Sequence, residues 1–242
     1  MIENRWSIQN PDPARPIVPF RVRPDTSGHI VVSRFKNGCQ VKLIGPRSRY
    51  LDINRAGRVS TAIGRFSYGF LAKTLPFPIS DLRDHSLNAG DLANLVGLDK
   101  ERLTRALEHE APETCRDQVF RLLTPLNTDK ERHKHSLCNA GLKLMRSRQE
   151  KAITVKRIAE TLGISSRYFR TVFAETMGLS PKRFMKIRRF ECAMRLMEHG
   201  SGNSLTQIGN ECGYFDQSHM IEDFHDLIGS APGEYMKNSG LP

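Results

Sequence analysis

One stretch of the C-terminal half is written twice, and that repeat restricts the folds open to the chain more than any other feature. From Ile158 the sequence reads IAETLG, followed by Phe169, Phe173, Gly178, Pro181 and Phe184. A second copy, IGNECG, starts at Ile208 and is followed by Met220, Phe224, Gly229, Pro232 and Tyr235. The offset is 50 for Ile158/Ile208 and Gly163/Gly213, and 51 from Phe169/Met220 through Phe184/Tyr235. Apolar residues, glycines and prolines at a held spacing describe one supersecondary unit used twice. In each copy a first helix ends at a glycine (Gly163, Gly213), where the missing Cβ lets the chain turn. A second helix follows, with core residues at i and i+4: Phe169 and Phe173 in one copy, Met220 and Phe224 in the other. This is the punctuation of a helix-turn-helix. The opposite face of each second helix is then free to lie in a DNA major groove.

The surrounding text predicts seven helices beyond residue 136. SLCNAGLKLMRSRQ (136–149) opens the set. Thr154 caps the next helix, Ser165 caps a helix ending at Gly178, and Ser180 caps a long helix with Pro181 in its first turn. That helix runs to His199, and 19 residues at the usual rise give it a length of about 28 Å. Ser204 and Asp216 cap the corresponding helices of the second copy, and Ser230 with Pro232 opens the last.

Before this region the text changes. Residues 1–24 carry Pro11, Pro13, Pro16, Pro19 and Pro24, and predict an extended lead-in. HIVVSRF, CQVKLIG and RYLDI read as strands, separated by Asn37-Gly38 and Gly45-Pro46. FSYGFLAKTL (66–75), ERLTRALEH (101–109) and ETCRDQVFRLL (113–123) read as helices. The expectation is an α+β N-terminal domain over 1–126, a polar linker over 127–135, and an all-α seven-helix double helix-turn-helix domain over 136–238. Within the last, the first unit covers 154–178, the connecting helix 181–199 and the second unit 204–229.

The groove-facing residues follow from this geometry. The first recognition helix offers Ser166, Arg167, Arg170, Thr171 and Ala174; the second offers Gln217, Ser218, Ile221, Glu222 and His225, with His219 near the edge. Arginine holds guanine O6 and N7 through two hydrogen bonds, worth roughly 1–3 kcal/mol of discrimination. Arg167 and Arg170 are therefore the leading base readers, the alternative being phosphate contact or plain solvation. Thr154, Lys156, Arg188 and Ser204 are candidate phosphate contacts.

The segments GYFDQSHMIEDFHDLIGSAPGEYM and GLSPKRFMKIRRFECAMRLM resemble the second helix-turn-helix and the connecting helix of the AraC/XylS family of bacterial transcription regulators. The resemblance covers residues 136–238. It implies two recognition helices entering successive major grooves on one face of double-stranded DNA, with RNA polymerase contacted in activation. More weakly, residues 1–126 resemble an uncharacterised N-terminal domain of some members. In better-studied members the equivalent domain binds a small-molecule effector, forms a homodimer, or both.

The chain departs from the family pattern in its charge. Net charge is +11 overall, which suits a polyanion partner. Residues 143–195 hold fourteen Lys/Arg against four Glu, whereas 196–242 hold one lysine against seven carboxylates. Phosphate repulsion would then oppose the second head, leaving the first head and the basic connecting helix as the anchor. Gly209 stands where the first copy has Ala159, which implies either a looser unit or close packing that needs the missing side chain.

Other chemistries find little support. Five scattered cysteines without a CxxC pair favour a reducing compartment. No apolar run approaches the roughly 18 residues of a membrane span, and the N-terminus lacks an apolar signal core; a cytoplasmic protein is expected. His133, His135 and Cys138 lack the spacing of a zinc finger and read as a solvated linker, so no metal and no cofactor are expected. Asp81 and Asp84 read as a loop or helix start, and the chain is not expected to be an enzyme. Two alternatives stay open: an interaction module whose acidic second head binds protein, with non-specific DNA contact, and an alkyl-transfer sensor using Cys39.

Overall fold

The computed structural model describes residues 2–10, 19–35, 38–54, 59–66, 69–95, 97, 101, 111–123, 132–146, 153–199 and 204–239. It shows an α+β N-terminal part followed by an all-α region of seven helices among the described residues.

Five strands form one antiparallel sheet in the order β1 (Ile2–Asn10), β6 (Val59–Phe66), β3 (His29–Phe35), β4 (Gly38–Ile44), β7 (Ser86–Asn88). A second ladder pairs β2 (Pro19–Val22) with β5 (Leu51–Asn54). The period of two is visible in the burial: Ile30 and Val32 on β3, and Val41 and Leu43 on β4, point to one core. Helix α3 (Pro112–Leu123) covers that face with Cys115, Val119 and Leu123. Phe66, Phe70 and Phe120 stack with centroids 5.0–6.1 Å apart, joining the sheet to α1 (Phe70–Thr74) and α3. Helix α2 (Ala89–Leu95) packs beside β7 and β4.

Strands β3, β4 and β5 and helix α3 lie where the sequence places them. Other expectations are corrected. Part of the proline-rich lead-in pairs as β1 and β2, since two antiparallel partners satisfy its backbone groups. Phe66 ends a strand, and the helix expected over 66–75 starts at Phe70. The helix expected over 101–109 falls almost wholly outside the described residues. Helix α4 (Arg132–Arg146) begins before the expected residue 136, because His135 is buried and Lys134 pairs with Glu175 at 3.1 Å on the next unit.

The remaining helices are α5 (Val155–Thr161), α6 (Ser166–Met177), α7 (Pro181–Glu198), α8 (Leu205–Glu211), α9 (Gln217–Ile228) and α10 (Pro232–Ser239). Their shared core contains Phe169, Phe173, Phe184, Phe190, Met220 and Phe224, each at most 2% exposed. Phe173 meets Phe184 edge-on at 5.3 Å, and Phe190 meets Phe224 at 4.9 Å. Both helix-turn-helix units are thus fastened to α7. No described helix is long and apolar enough to cross a membrane.

The N-terminal part docks on these helices. Its short 3-10 turn (Ile79–Leu82) and α1 pack on α6, most closely at Gly178, where a Cβ would lie 2.9 Å from side-chain atoms of Ile79 and Pro46. The Ser48 carbonyl accepts from Arg183 on α7, while Asp84 accepts from the Ser48 backbone N–H at 2.7 Å. Arg23 pairs with Glu198 at the far end of α7. Between these contacts Glu191 enters a buried polar cluster, 3.3 Å from Arg65, which in turn lies 3.1 Å from Asp25.

Candidate nucleic-acid interface

Each recognition helix is held by its own caps. Ser165 accepts from the Tyr168 N–H and Asp216 from the His219 N–H, so the first turns of α6 and α9 are fixed. Gly178 and Gly229 close the two helices at φ 76° and 77°, the left-handed conformation that favours glycine. The helices that precede them are capped by Thr154 and by Ser204, the latter in a reciprocal capping box with Gln207.

On α6 the structure places Arg167, Arg170 and Thr171 together on an exposed face, with Ser166 half-buried at its start. The Thr171 hydroxyl donates to the Arg167 carbonyl at 3.2 Å. On α9, Gln217, Ser218, Glu222 and His225 are exposed, while His219 is half-buried. His219 Nε2 lies 3.2 Å from Arg189 of α7, and its Nδ1 accepts from the Phe215 N–H at 3.4 Å. That ring therefore braces the second unit and is set apart from Gln217, Ser218 and Glu222. Thr154 and Ser204 use their hydroxyls as caps. Lys156 is exposed, at a loose 3.9 Å from Glu160. Arg188 pairs with Glu191 at 2.7 Å, on the side of α7 turned to the N-terminal part.

Two carboxylates of the second unit, Asp223 and Asp226, are engaged by cations of α7, while Glu211, Glu222 and Glu234 stay exposed. Asp223 is buried and accepts from Lys186 at 3.0 Å and from Arg189 at 2.9 Å. Asp226 lies 2.7 Å from Lys186 and also pairs with Arg183. Burial pushes the Asp226 carboxyl up, but hydrogen bonds from Lys186 and Arg183 outweigh that and hold it below its ordinary range. The picture of a free basic connecting helix beside a repelling acidic head therefore needs revision. Arg183, Lys186 and Arg189 are ion-pair partners of the second head. Asp216 is a cap, and Glu222 remains an exposed carboxylate on the recognition face.

One surface residue escapes the sequence pattern. Phe215, directly before the α9 cap, is 88% exposed. Ile164 of the first unit, which packs against the core, corresponds by its backbone bond to Tyr214, so Phe215 is the extra residue that shifts the repeat offset from 50 to 51. A residue before the cap can staple to the fourth residue of the helix; Ile164 sits in that position before Ser165, whereas Phe215 before Asp216 turns to solvent. Tyr214 beside it is buried instead, with Arg189 5.3 Å from its ring centroid. Two adjacent aromatics where one suffices for the core are the sequence signal for this arrangement.

The side chains weighed for other chemistry take structural places. Cys39 does not stand alone: α3 brings Cys115 beside it, and burial, reinforced by Cys115, pushes the Cys39 thiol up to about 11. In α4 His133 is exposed, while His135 and Cys138 face inward, and the Cys138 thiol donates to the Val172 carbonyl at 3.7 Å.

Comparison with known proteins agrees with this geometry. A family model described as a helix-turn-helix domain matches residues 158–238. The XylDLEGF operon transcriptional activator 1 of Pseudomonas putida is 23% identical over 162 residues, covering 63% of this chain and 49% of that protein. The HTH-type transcriptional activator RhaS of Escherichia fergusonii is 30% identical over 83 residues, covering 34% and 30%. The chain thus spans at most about half the length of these curated relatives. Among solved structures, ToxT from Vibrio cholerae aligns over 97% of both chains with 12% identity and a TM-score of 0.45. Residues 158–238 thus carry a helix-turn-helix domain, and over that region the chain is similar to transcription regulators of the AraC/XylS type.

Proposed function

We propose that the protein is a cytoplasmic, sequence-specific DNA-binding regulator that activates transcription in response to a signal sensed by its N-terminal part. In this reading residues 1–126 sense an effector or dimerise, the segment before α4 links, and the helices from α4 to residue 238 bind duplex DNA. Ser166, Arg167, Arg170 and Thr171 read bases from the first head; Gln217, Ser218 and Glu222 do so from the second. Thr154, Lys156 and Ser204 lie at helix starts suited to phosphate. The observation that carries the reading is the contrast between arginines. Arg167 and Arg170 are exposed on a capped helix and have no ion-pair partner among the described residues, whereas Arg183, Arg188 and Arg189 on α7 are all paired with carboxylates. Unpaired guanidinium groups on a rigid convex helix suit bidentate contact with guanine.

The test is selection of duplexes from a random pool, followed by titration with the wild type and Arg170→Ala at several salt concentrations. Loss of about 1–3 kcal/mol, with relaxed preference at one base position, is the expected result. Equal affinity of the wild type for selected and scrambled duplexes would refute it. That outcome would favour a second reading, an interaction module whose second head docks on a protein such as RNA polymerase. The exposed Phe215 ring is the observation on its side, since aromatic side chains commonly anchor protein interfaces.

A further inference from the structure

The two recognition helices match position for position but offer opposite hydrogen-bonding chemistry. Helices α6 and α9 are each 12 residues long, are capped by Ser165 and Asp216, and end at Gly178 and Gly229. The offset of 51 that relates these caps and glycines also relates Arg167 to Ser218, Arg170 to Ile221 and Thr171 to Glu222. Where the first helix exposes two guanidinium groups, which only donate, the second exposes Glu222, whose carboxylate only accepts.

Glu222 differs from the other two carboxylates of its helix. Asp223 is held by Lys186 and Arg189, and Asp226 by Lys186 and Arg183. Glu222 is exposed, with no hydrogen bond or ion pair among the described residues. It lies one turn beyond Ser218, on the face that also carries Gln217 and His225.

A carboxylate brought against DNA is opposed by phosphate unless a donor meets it. The major groove offers few donors. Guanine N7 and O6, adenine N7 and thymine O4 all accept; only the amino groups of cytosine (N4) and adenine (N6) donate. Adenine sets its N7 acceptor beside that amino group, which repels a carboxylate and suits a side-chain amide such as Gln217. Cytosine sets a C–H there instead. The chemistry of Glu222 therefore fits cytosine and disfavours guanine or thymine in the same place.

We propose that Glu222 makes the second head select a cytosine, by accepting a hydrogen bond from its N4 amino group. The two heads then recognise unlike half-sites, guanine under Arg167 and Arg170 and cytosine under Glu222. Unlike half-sites fix which head lies at which end of the site, and hence the direction in which the chain faces along the duplex. Glu222 contributes to discrimination more than to affinity: against a wrong base its carboxylate stays unpaired near phosphate and weakens binding. This inference rests on the DNA-binding reading and names the base that one of its residues takes.

The test uses the full chain and a random duplex pool, from which the wild type, Glu222→Ala and Arg170→Ala each select binders. Because Glu222 is exposed and makes no contact that folding needs, Glu222→Ala should keep the wild-type midpoint in urea unfolding. The wild-type pool should carry a cytosine at one position of the half-site that Arg170→Ala leaves unchanged. The Glu222→Ala pool should lose it at that position alone. N4-methylcytosine placed there keeps the base pair but removes the N–H that projects into the groove. It should weaken wild-type binding about tenfold and leave Glu222→Ala binding unchanged. On a duplex with guanine at that position, Glu222→Ala should bind more tightly than the wild type. A cytosine that persists in the Glu222→Ala pool, or is missing from the wild-type pool, would overturn the proposal. So would a Glu222→Ala gain in affinity that is equal on every duplex, since that is plain repulsion from phosphate. In these cases Arg170→Ala still relaxes its own base position, and the DNA-binding reading stands. A wild type that binds selected and scrambled duplexes equally overturns both.

Discussion

Replacing Asp223 by asparagine tests how the second head is held. The carboxylate is 3% exposed and accepts from Arg189 at 2.9 Å and Lys186 at 3.0 Å. A hydrogen bond to a charged group contributes about 1.5–3 kcal/mol, and removing one member of a buried pair costs about 3–5 kcal/mol. Two features reduce the figure here. Lys186 keeps Asp226 at 2.7 Å, and the Lys186 and Arg189 side chains are 22% and 24% exposed, so water reaches both. The burden therefore falls on Arg189, and Asp223→Asn should destabilise by about 2–3 kcal/mol. Asp226→Asn is the internal control: that side chain is 47% exposed, and its loss should cost less than about 1 kcal/mol. Urea unfolding of the full chain followed by far-ultraviolet circular dichroism measures both. Equal effects for the two variants, or less than about 0.5 kcal/mol for Asp223→Asn, would refute the argument. Titration of the selected duplex adds a sign test. If Asp223 repelled phosphate, its neutralisation would tighten binding; as a brace, it should leave binding weaker or unchanged.

Two other perturbations probe the remaining features. Burial, followed by the charge of Arg65, pushes the His29 imidazole down from its ordinary 6.5 to about 4, and the neutral ring lies 3.4 Å from Asp25. The unfolded chain takes up this proton near pH 6.5 and the folded chain only near 4, so the His29 contribution is complete above 6.5 and is lost as pH falls toward 4. Asp25 and Glu191 in the same cluster are raised chiefly by burial, against the charges of Arg65 and Arg188, and act in the opposite sense by binding protons more readily when folded. His29→Gln should remove about 2–3 kcal/mol of the stability difference between pH 7 and pH 4.5; unchanged pH dependence in thermal unfolding would count against the assignment. At Gly209 a Cβ would meet Met220 Sδ at 3.5 Å and Tyr214 Cβ at 3.9 Å, ordinary contacts inside a helix. Gly209→Ala should therefore stabilise the second unit by about 0.5–1 kcal/mol in urea unfolding, and a loss would show that the packing needs the glycine.

The helical half was legible because its information is local. Caps Thr154, Ser165, Ser180, Ser204 and Asp216 and terminators Gly178 and Gly229 each act within a turn of their own residue. The exposed Arg167 and Arg170 follow from the same helical period, once Phe169 and Phe173 are assigned to the core. The sheet was legible only where a turn signal joined adjacent strands, as Asn37-Gly38 joins β3 to β4. Strand β6 carries Ala62 and Gly64 among its residues and pairs with β1 and β3, both distant in sequence, so neither composition nor neighbours announce it. The inward course of Asp223 and the Glu191 cluster are also long-range. Each depends on which helices cross, and no spacing rule along one helix encodes that.

That difference in range changes the meaning of the chain's charge. Counted along the sequence, the connecting helix is a basic rod suited to lie along phosphates. In three dimensions four of its six cations divide between two intramolecular tasks, while Lys182 and Arg195 stay exposed. Lys186 and Arg189 grip Asp223, Arg183 joins Lys186 at Asp226 while also holding the Ser48 carbonyl, and Arg188 pairs with Glu191 where the N-terminal part docks. A guanidinium or ammonium group in a close ion pair releases fewer counterions on binding DNA than a free one, because its charge is already balanced. The helix that sets the separation between the two heads also fixes the second head and receives the N-terminal part. Arg183, Lys186 and Arg189, turned to the second head, and Arg188 and Glu191, turned to the N-terminal part, lie within nine residues of one helix. The two heads and the N-terminal part are therefore mechanically joined at α7, and its charges serve that junction before they serve DNA.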